Sequence, residues 1–418
     1  MGNKSKRRLE RQAERAAAES RPKRIGNLDI PLLILLTLLL AYGLIMLFSA
    51  SYPRAIIMRG DRYYYIKRQI LFVAAGLVMM VVISFIDCRI WKKLAWLSMG
   101  ISVVMLVVVL FMPPLNDTRR WIIIGGFTFQ PSEFAKFALI LLFAALISKN
   151  RNRIKTLKYG FVPFIVILGI LSLLLVLEPH LSCTILVLGI GVSMMFVGGT
   201  SMRWLILAAI LTVGGLLLAL SIFPDQIPYA DTRIAIWRDP FNADPTAAHQ
   251  VIQSQIAVGS GGFFGRGIGQ SRQKYLYLPE MYNDYIYAIV CEELGFIGAM
   301  AVVVLFLALL GRCLYIACRV KDRFSSMLVV GVSVQIALQA FLHIAVNLNA
   351  IPSTGISLPF FSAGGTAVMM ILVQMGVVFS VSRRANLEQS EKEEAAYLQD
   401  SLNNAPPQDN PRVYARMR

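Results

Sequence analysis

The chain has 418 residues, 56% of them hydrophobic, and a mean hydropathy of +0.62. Soluble domains hold roughly 45–50% apolar residues, and several runs here reach the ~20 that a helix needs to cross a bilayer, so a soluble fold is excluded. The formal net charge of +17 would suggest nucleic acid in a soluble protein. Much of it lies in the N-terminal tail and short loops, where the positive-inside rule puts it, so no nucleic-acid partner is expected.

An all-α integral membrane protein follows, because helices satisfy their own backbone polar groups inside lipid. Residues 1–28 form a basic cytoplasmic tail, whose first 24 residues carry nine Lys/Arg and three Glu and are followed by no signal-peptide cleavage site. Ten spans are expected, near 30–51, 69–86, 94–112, 134–147, 161–177, 185–197, 204–223, 285–310, 327–346 and 367–381. Basic turns such as Arg89–Lys92–Lys93, and the acid-free run from Lys149 to Lys158, mark the inner side and place both termini in the cytoplasm. Two segments depart from that pattern. The loop before span 2 carries five bases, counting Arg68, on what is then the outer side. The large extracytoplasmic loop 224–284, between spans 7 and 8, is far longer than ordinary connections, and such loops tend to be functional. Span 10 closes a membrane domain over 29–384, and the charged tail 385–418 is expected to be disordered. The five cysteines (Cys88, Cys183, Cys291, Cys313, Cys318) show no CxxC and no metal-ligand spacing, and read as free thiols in apolar surroundings.

Chemistry concentrates at the outer helix ends. The stretch 277–295 passes from a polar, aromatic loop into an apolar helix, with Asp284 at the join. Two readings of Asp284 stand: an N-cap of span 8, or a general base whose pKa is raised by burial or lowered by neighbouring bases. Arg68, Arg119, Arg120, Lys136, Arg233, Arg238, Arg266, Arg272 and Lys274 form a basic outer layer. It fits an anionic ligand such as a pyrophosphate; the alternative is pairing with Asp117, Glu133, Asp231, Asp239 or Glu280. Glu133 and Lys136, three residues apart, share a helix face, and Gln130-Pro131-Ser132-Glu133 has the form of a helix start. Glu292 and Glu293 lie roughly 12 Å into span 8, either functional or paired with an Arg or Lys from another helix. His180, His249 and His343 lack metal-ligand spacing. GRGIGQ follows no strand, so a dinucleotide-binding reading is rejected.

Four stretches carry a resemblance: RRWIIIGGFTFQPSEFAK; TRIAIWRDPF followed by QSQIAVGSGGFFGRGIGQSRQKYLYLPE; NDYIYAIVCEELGFIGA; and IPSTGISLPFFSAGGTA. Over about residues 29–384 the chain resembles the SEDS proteins (shape, elongation, division and sporulation), the FtsW/RodA/SpoVE group of bacterial cell-wall polymerases. The resemblance implies ten transmembrane helices and polymerisation of lipid II into glycan strands at the outer face of the cytoplasmic membrane. It places the essential aspartate on Asp284 and the motif bases on Arg68, Arg119, Arg120 and Lys136. Glu133, Arg233, Lys274 and Glu280 complete the candidate substrate-binding set. Expected partners are lipid II, the undecaprenyl-pyrophosphate-linked glycan, a class B penicillin-binding protein and other divisome proteins. The basic tail and QPSEFAK favour the division branch, and hence the septum.

The chain departs from the family pattern in places. His180 in EPHLSCT stands where the family often has Asp, Ala363 where a Tyr is common, and His343 where Asn is frequent. No cofactor is called for with certainty; a divalent cation could assist at the pyrophosphate. Two other functions stay open: a lipid II flippase, to which Glu292 and Glu293 would contribute, and a non-catalytic divisome scaffold.

Overall fold

The computed structural model describes residues 26–113, 119–124, 127–222 and 227–404. The chain divides into two units. One runs over Asp29–Val381, and the other joins Met1–Leu28 with Ser382–Arg418.

In the larger unit, α1 (Ile30–Arg59), α2 (Tyr64–Ser84) and α3 (Cys88–Leu110) come first, then a small antiparallel hairpin, β1 (Ile122–Ile124) and β2 (Phe127–Phe129), with Ile123 opposite Thr128. There follow α4 (Pro131–Lys149), the short α5 (Leu157–Gly160), α6 (Val162–Leu177), α7 (Leu181–Gly198) and α8 (Met202–Ile222). Two helices occupy the long loop, α9 (Ile227–Arg238) and α10 (Pro245–Ser260). The series ends with α11 (Ile286–Arg319), α12 (Arg323–Asn347) and α13 (Gly365–Asn404), whose residues from Ser382 on belong to the smaller unit. Among the described residues, nine helical segments are long and apolar enough to cross a membrane, and Met202–Thr212 of α8 is a shorter apolar helix. The nine match nine of the ten expected spans; α8 falls where the tenth, span 7, was expected.

The helices start where local chemistry puts them. Asp29 caps α1 by accepting from the Leu32 amide at 3.0 Å, and Arg312 holds the same carboxylate through two bonds of 2.9 Å, tying α1 to α11. Asp322 caps α12 through the Ser325 amide at 3.1 Å. The centre of the unit is α4, which packs against α3, α7 and α12. Its most apolar window is 89% buried, against 33% for α2 and α3. α4 is also the least apolar of the spans. A helix shielded from lipid can carry Glu133 and Lys136, whereas one facing lipid cannot do so cheaply.

Two segments take a form that composition does not announce. Helix continues through the supposed disordered tail as far as Asn404. The segment has no Gly or Pro before Pro406 and gains i,i+4 contacts between Arg384 and Glu388 (3.3 Å) and between Gln389 and Glu393 (2.7 Å). The second concerns the long loop, part of which lies beside α11 rather than beyond it. Gly295 (φ 63°, ψ −162°) breaks α11, and the segment 261–267 repairs the break. The amides of Arg266 and Gly267 donate to the Glu292 and Glu293 carbonyls at 3.0 and 2.9 Å. Those of Phe296 and Ile297 donate to the Gly262 and Phe263 carbonyls at 3.0 and 3.3 Å. A broken helix at this depth, roughly 14 Å past its first residue, is tolerated because another segment supplies the missing hydrogen bonds. Only glycine adopts that backbone without strain.

Candidate active site

A cavity of about 220 Å³ opens where the first residues of α4, α7 and α11 meet the loop between α12 and α13. Asp284, Arg120, Glu133, Lys136 and His180 all line it. Three helix starts therefore face one space. None has a side-chain hydrogen bond from its own N-cap residue (Gln130, His180, Tyr285); the Ala288 amide of α11 is taken by Asn347, and the three helix dipoles favour an anion there.

Asp284 is not the cap of its helix. The N-cap position belongs to Tyr285, which closes the capping alternative. The position of Asp284 is fixed through the backbone: Asn347 Nδ2 donates to its carbonyl at 3.0 Å, and Asn347 Oδ1 accepts from the Ala288 amide at 3.0 Å. Next door, Ser362 Oγ donates to the Asn283 carbonyl at 2.6 Å, and the Ala363 amide to the Tyr282 carbonyl at 2.9 Å. The carboxylate itself accepts no hydrogen bond from any described residue, and it points past Gly355, where an added Cβ would lie 3.3 Å from Oδ2. Burial, followed by the negative charge of Glu280, raises its pKa to about 6, against the opposing pull of Arg233 and Arg120.

Opposite stands a basic wall. Lys136 Nζ is buried, bonded to Glu133 Oε1 at 2.9 Å and to Gln339 Oε1 at 3.2 Å. Gln339 is held in turn by the Ser357 carbonyl at 3.0 Å. Glu133 Oε2 has no partner among the described residues. Thus the local Glu133–Lys136 pair is present, and both of its members line the cavity. Arg120 donates to the carbonyls of Glu178 and Pro179, which orients its guanidinium at the α6–α7 turn. Burial pushes the Glu178 carboxyl up to about 8, with Arg120 opposing. His180 is held well below its usual range by burial and by the charges of Arg120 and Lys136. A neutral imidazole stands there, its Nδ1 unpartnered among the described residues.

The other candidates are placed more widely. Arg233 on α9 reaches the Ser353 carbonyl and acts on Asp284 electrostatically. Glu280 takes a left-handed conformation (φ 50°), accepts from Asn283 Nδ2 at 2.7 Å and pairs with Arg54 at 3.5 Å. Arg119 is exposed and donates to the Leu110 carbonyl at 3.1 Å. Arg68 is exposed on α2. Asp117 lies outside the described residues. Lys274 is kept out of the cavity: it is wholly buried, with Nζ 2.8 Å from Glu293 Oε1. That contact also answers the question of the α11 glutamates. Glu293 pairs with Lys274 and accepts from Ser49 Oγ at 2.6 Å. Glu292 accepts from Ser271 Oγ at 2.5 Å and the Arg272 amide at 2.9 Å. Gln339, Ser357 and Gly355 were not singled out by the sequence reading. Gly355 and Ser357 left a signal, since both lie in the IPSTGIS stretch; Gln339 left none.

Comparison with known proteins gives the family and the fold. The family model described as cell cycle protein, FtsW/RodA/SpoVE, matches residues 30–387. Stage V sporulation protein E of Bacillus subtilis is 38% identical over 85% of this chain and 97% of its own. A protein of Geobacter sp. named as a probable peptidoglycan glycosyltransferase FtsW is 33% identical over 87% of this chain and 98% of its own. A solved chain from work on the structural coordination of polymerization and crosslinking by a peptidoglycan synthase complex superposes with a TM-score of 0.71. It is 26% identical, covering 86% of this chain and 98% of that one. Thermus thermophilus RodA gives a TM-score of 0.63 at 25% identity, over 85% and 97% of the two chains. Likeness that runs nearly end to end in sequence and in fold leaves one conclusion: the chain belongs to the FtsW/RodA/SpoVE family.

Proposed function

We propose that this chain is a peptidoglycan glycosyltransferase that polymerises lipid II, with Asp284 as general base. The observation that carries the assignment is a carboxylate with no hydrogen-bond partner among the described residues, in a cavity walled by Lys136 and Arg120. The acceptor's 4-hydroxyl attacks the anomeric carbon of the lipid-pyrophosphate-linked glycan. A C–O bond forms, the bond from that carbon to the pyrophosphate breaks, and Asp284 takes the hydroxyl proton. Lys136, Arg120 and the three helix starts offset the charge that develops on the departing pyrophosphate. Displacement with inversion needs no second carboxylate as nucleophile, which suits a neutral His180 across the site. Arg68 and Arg119, exposed near the same end, and Arg233 and Glu280, which tune Asp284, assist binding. No group of three His, Cys, Asp or Glu among the described residues is placed to hold a metal, so no step is routed through a divalent cation.

The test is polymerisation of lipid II by the purified chain, with and without a class B penicillin-binding protein, in the absence of any other glycosyltransferase. Glycan polymer is expected; none under either condition would end the proposal. The flippase reading loses its support, because Glu292 and Glu293 are taken up in bonds to Lys274, Ser271 and Ser49 rather than facing a path. In this reading the cavity opens on the outer face of the cytoplasmic membrane, both termini are cytoplasmic, and the chain acts at the septum with other divisome proteins.

Two further outcomes are expected from the geometry. A base with a pKa of about 6 is ionised above that pH and protonated below it, so the rate should rise with pH through an acid limb centred near 6. An exposed aspartate would centre that limb near ~4; a flat rate–pH profile between 5 and 7 would argue against Asp284. Gly355→Ala should cost about 1–2 kcal/mol of stability for the left-handed backbone (φ +63°). The new Cβ against Oδ2 should lower polymerisation about tenfold, since small displacements of a reacting group are expensive. Unchanged turnover in that variant would mean the carboxylate is not held against residue 355 during the reaction.

A further inference from the structure

Arg59 at the end of α1, Arg62 in the turn that follows and Lys67 in the first turn of α2 have no part in the chemistry described above. α1 has 30 residues, about 45 Å of helix, against a hydrocarbon core of ~30 Å. Its last turns therefore stand at headgroup level. They stand at the same end as the cavity, because Arg54 pairs with Glu280 and Tyr52 Oη lies 2.5 Å from Tyr275 Oη. The terminal turn exposes Ile56, Ile57 and Met58, and directly beyond them come Arg59, Arg62 and Lys67, all exposed. The three cations are gathered on two neighbouring rings. Arg59 lies over Tyr64 at 5.0 Å, and Arg62 and Lys67 lie over Tyr63 at 5.6 and 5.7 Å. Tyr63 is itself stacked on Phe48 at 5.7 Å. The one nearby acid, Asp61, is already engaged, bonded to Lys67 Nζ at 2.9 Å and to the Tyr63 amide at 2.9 Å.

We infer that Arg59, Arg62 and Lys67 form a binding site for the phosphate headgroup of an anionic phospholipid, whose acyl chain lies along Ile56, Ile57 and Met58. Charge complementarity selects the occupant. Three cations carry one counter-charge among them, and an exposed apolar strip adjoins them on the side where a lipid's own chain runs. A water-soluble anion would leave that strip uncovered. An acidic protein segment would have to lie at the headgroup level of the bilayer. Aromatic rings beneath the cations suit the interface, where tyrosine is enriched, and they hold the guanidinium groups without neutralising them.

The test uses the full chain in neutral phosphatidylcholine nanodiscs with a trace of spin-labelled phosphatidylglycerol. Its association relative to labelled phosphatidylcholine is measured at low and high salt. The wild-type chain should prefer phosphatidylglycerol, and the preference should weaken with salt. The triple variant Arg59→Gln/Arg62→Gln/Lys67→Gln should reduce it about a hundredfold, at roughly fivefold per lost charge near the surface. The charge-preserving Arg59→Lys/Arg62→Lys should keep most of it, which separates loss of charge from loss of fold. Equal preference in the wild-type chain and the triple variant overturns the site. So does a triple variant that keeps its phosphatidylglycerol preference but loses binding of lipid II, because the patch would then serve the substrate. Loss of binding to an acidic protein partner, with the lipid preference intact, overturns it as well.

Discussion

Asp284→Asn is expected to abolish polymer formation while leaving the protein folded. The variant keeps the shape of the side chain and removes its ability to take a proton. Base catalysis of this kind contributes about 10²–10⁴-fold, so product should fall to the limit of detection. Folding should survive because nothing structural depends on the carboxylate. The bonds that fix this segment run from Asn347 to the Asp284 carbonyl and from Ser362 to the Asn283 carbonyl. A neutral amide also relieves the unfavourable burial of charge beside Glu280. The measurement is lipid II polymerisation by variant protein that elutes as the wild-type chain does on size exclusion. Wild-type turnover in that sample would remove Asp284 from the mechanism. A scaffold, by contrast, would tolerate the change.

The second large effect is on stability. Lys274→Met should destabilise the protein by about 3–5 kcal/mol, because it strands the Glu293 carboxylate in a fully enclosed site. The pair has no access to solvent on either side, and Lys274 Nζ also meets Ser49 Oγ at 3.3 Å and the Tyr52 ring at 4.9 Å. Adding Glu293→Gln should recover much of the loss. The second change removes the stranded charge, while an amide oxygen can still accept from Ser49. Apparent melting temperatures in detergent for the single and double variants would check this. If Lys274→Met melted as the wild-type chain does yet bound lipid II poorly, the lysine would return to the substrate-binding set in which the sequence alone had placed it.

Lys274 and Lys136 show what could and could not be read from the chain. Both are lysines beside apolar runs at the same end of the bundle, with an acid within reach in sequence or in space. Lys136 has its partner three residues away, so its pairing with Glu133 is fixed by helix geometry and legible in advance. Lys274 has its partner nineteen residues on, two residues before the helix break at Gly295, at 2.8 Å. No local pattern announces that contact. The same limit explains the long loop. Composition marked 224–284 as extramembrane because no apolar span lies within it. Yet the amides of 266 and 267 dock against α11 through backbone groups, which hydropathy does not record.

Asp284 draws on both levels. Its position at a boundary between polar loop and apolar helix was visible in the residues, and so was the set of spans around it, because lipid imposes a length and an apolarity that each helix must meet by itself. Whether the carboxylate capped its helix or lay open in a cavity was not visible. That was decided by Tyr285 taking the cap, by Asn347 gripping the backbone from α12, and by Gly355 leaving room beside Oδ2. The sequence determined a helical membrane protein with a basic layer and one suspect aspartate. Only the tertiary structure decided which bases share a cavity with that aspartate and which are spent in buried pairs. Side chains far apart in the chain meet through the crossing of helices, and that geometry is a property of the whole bundle.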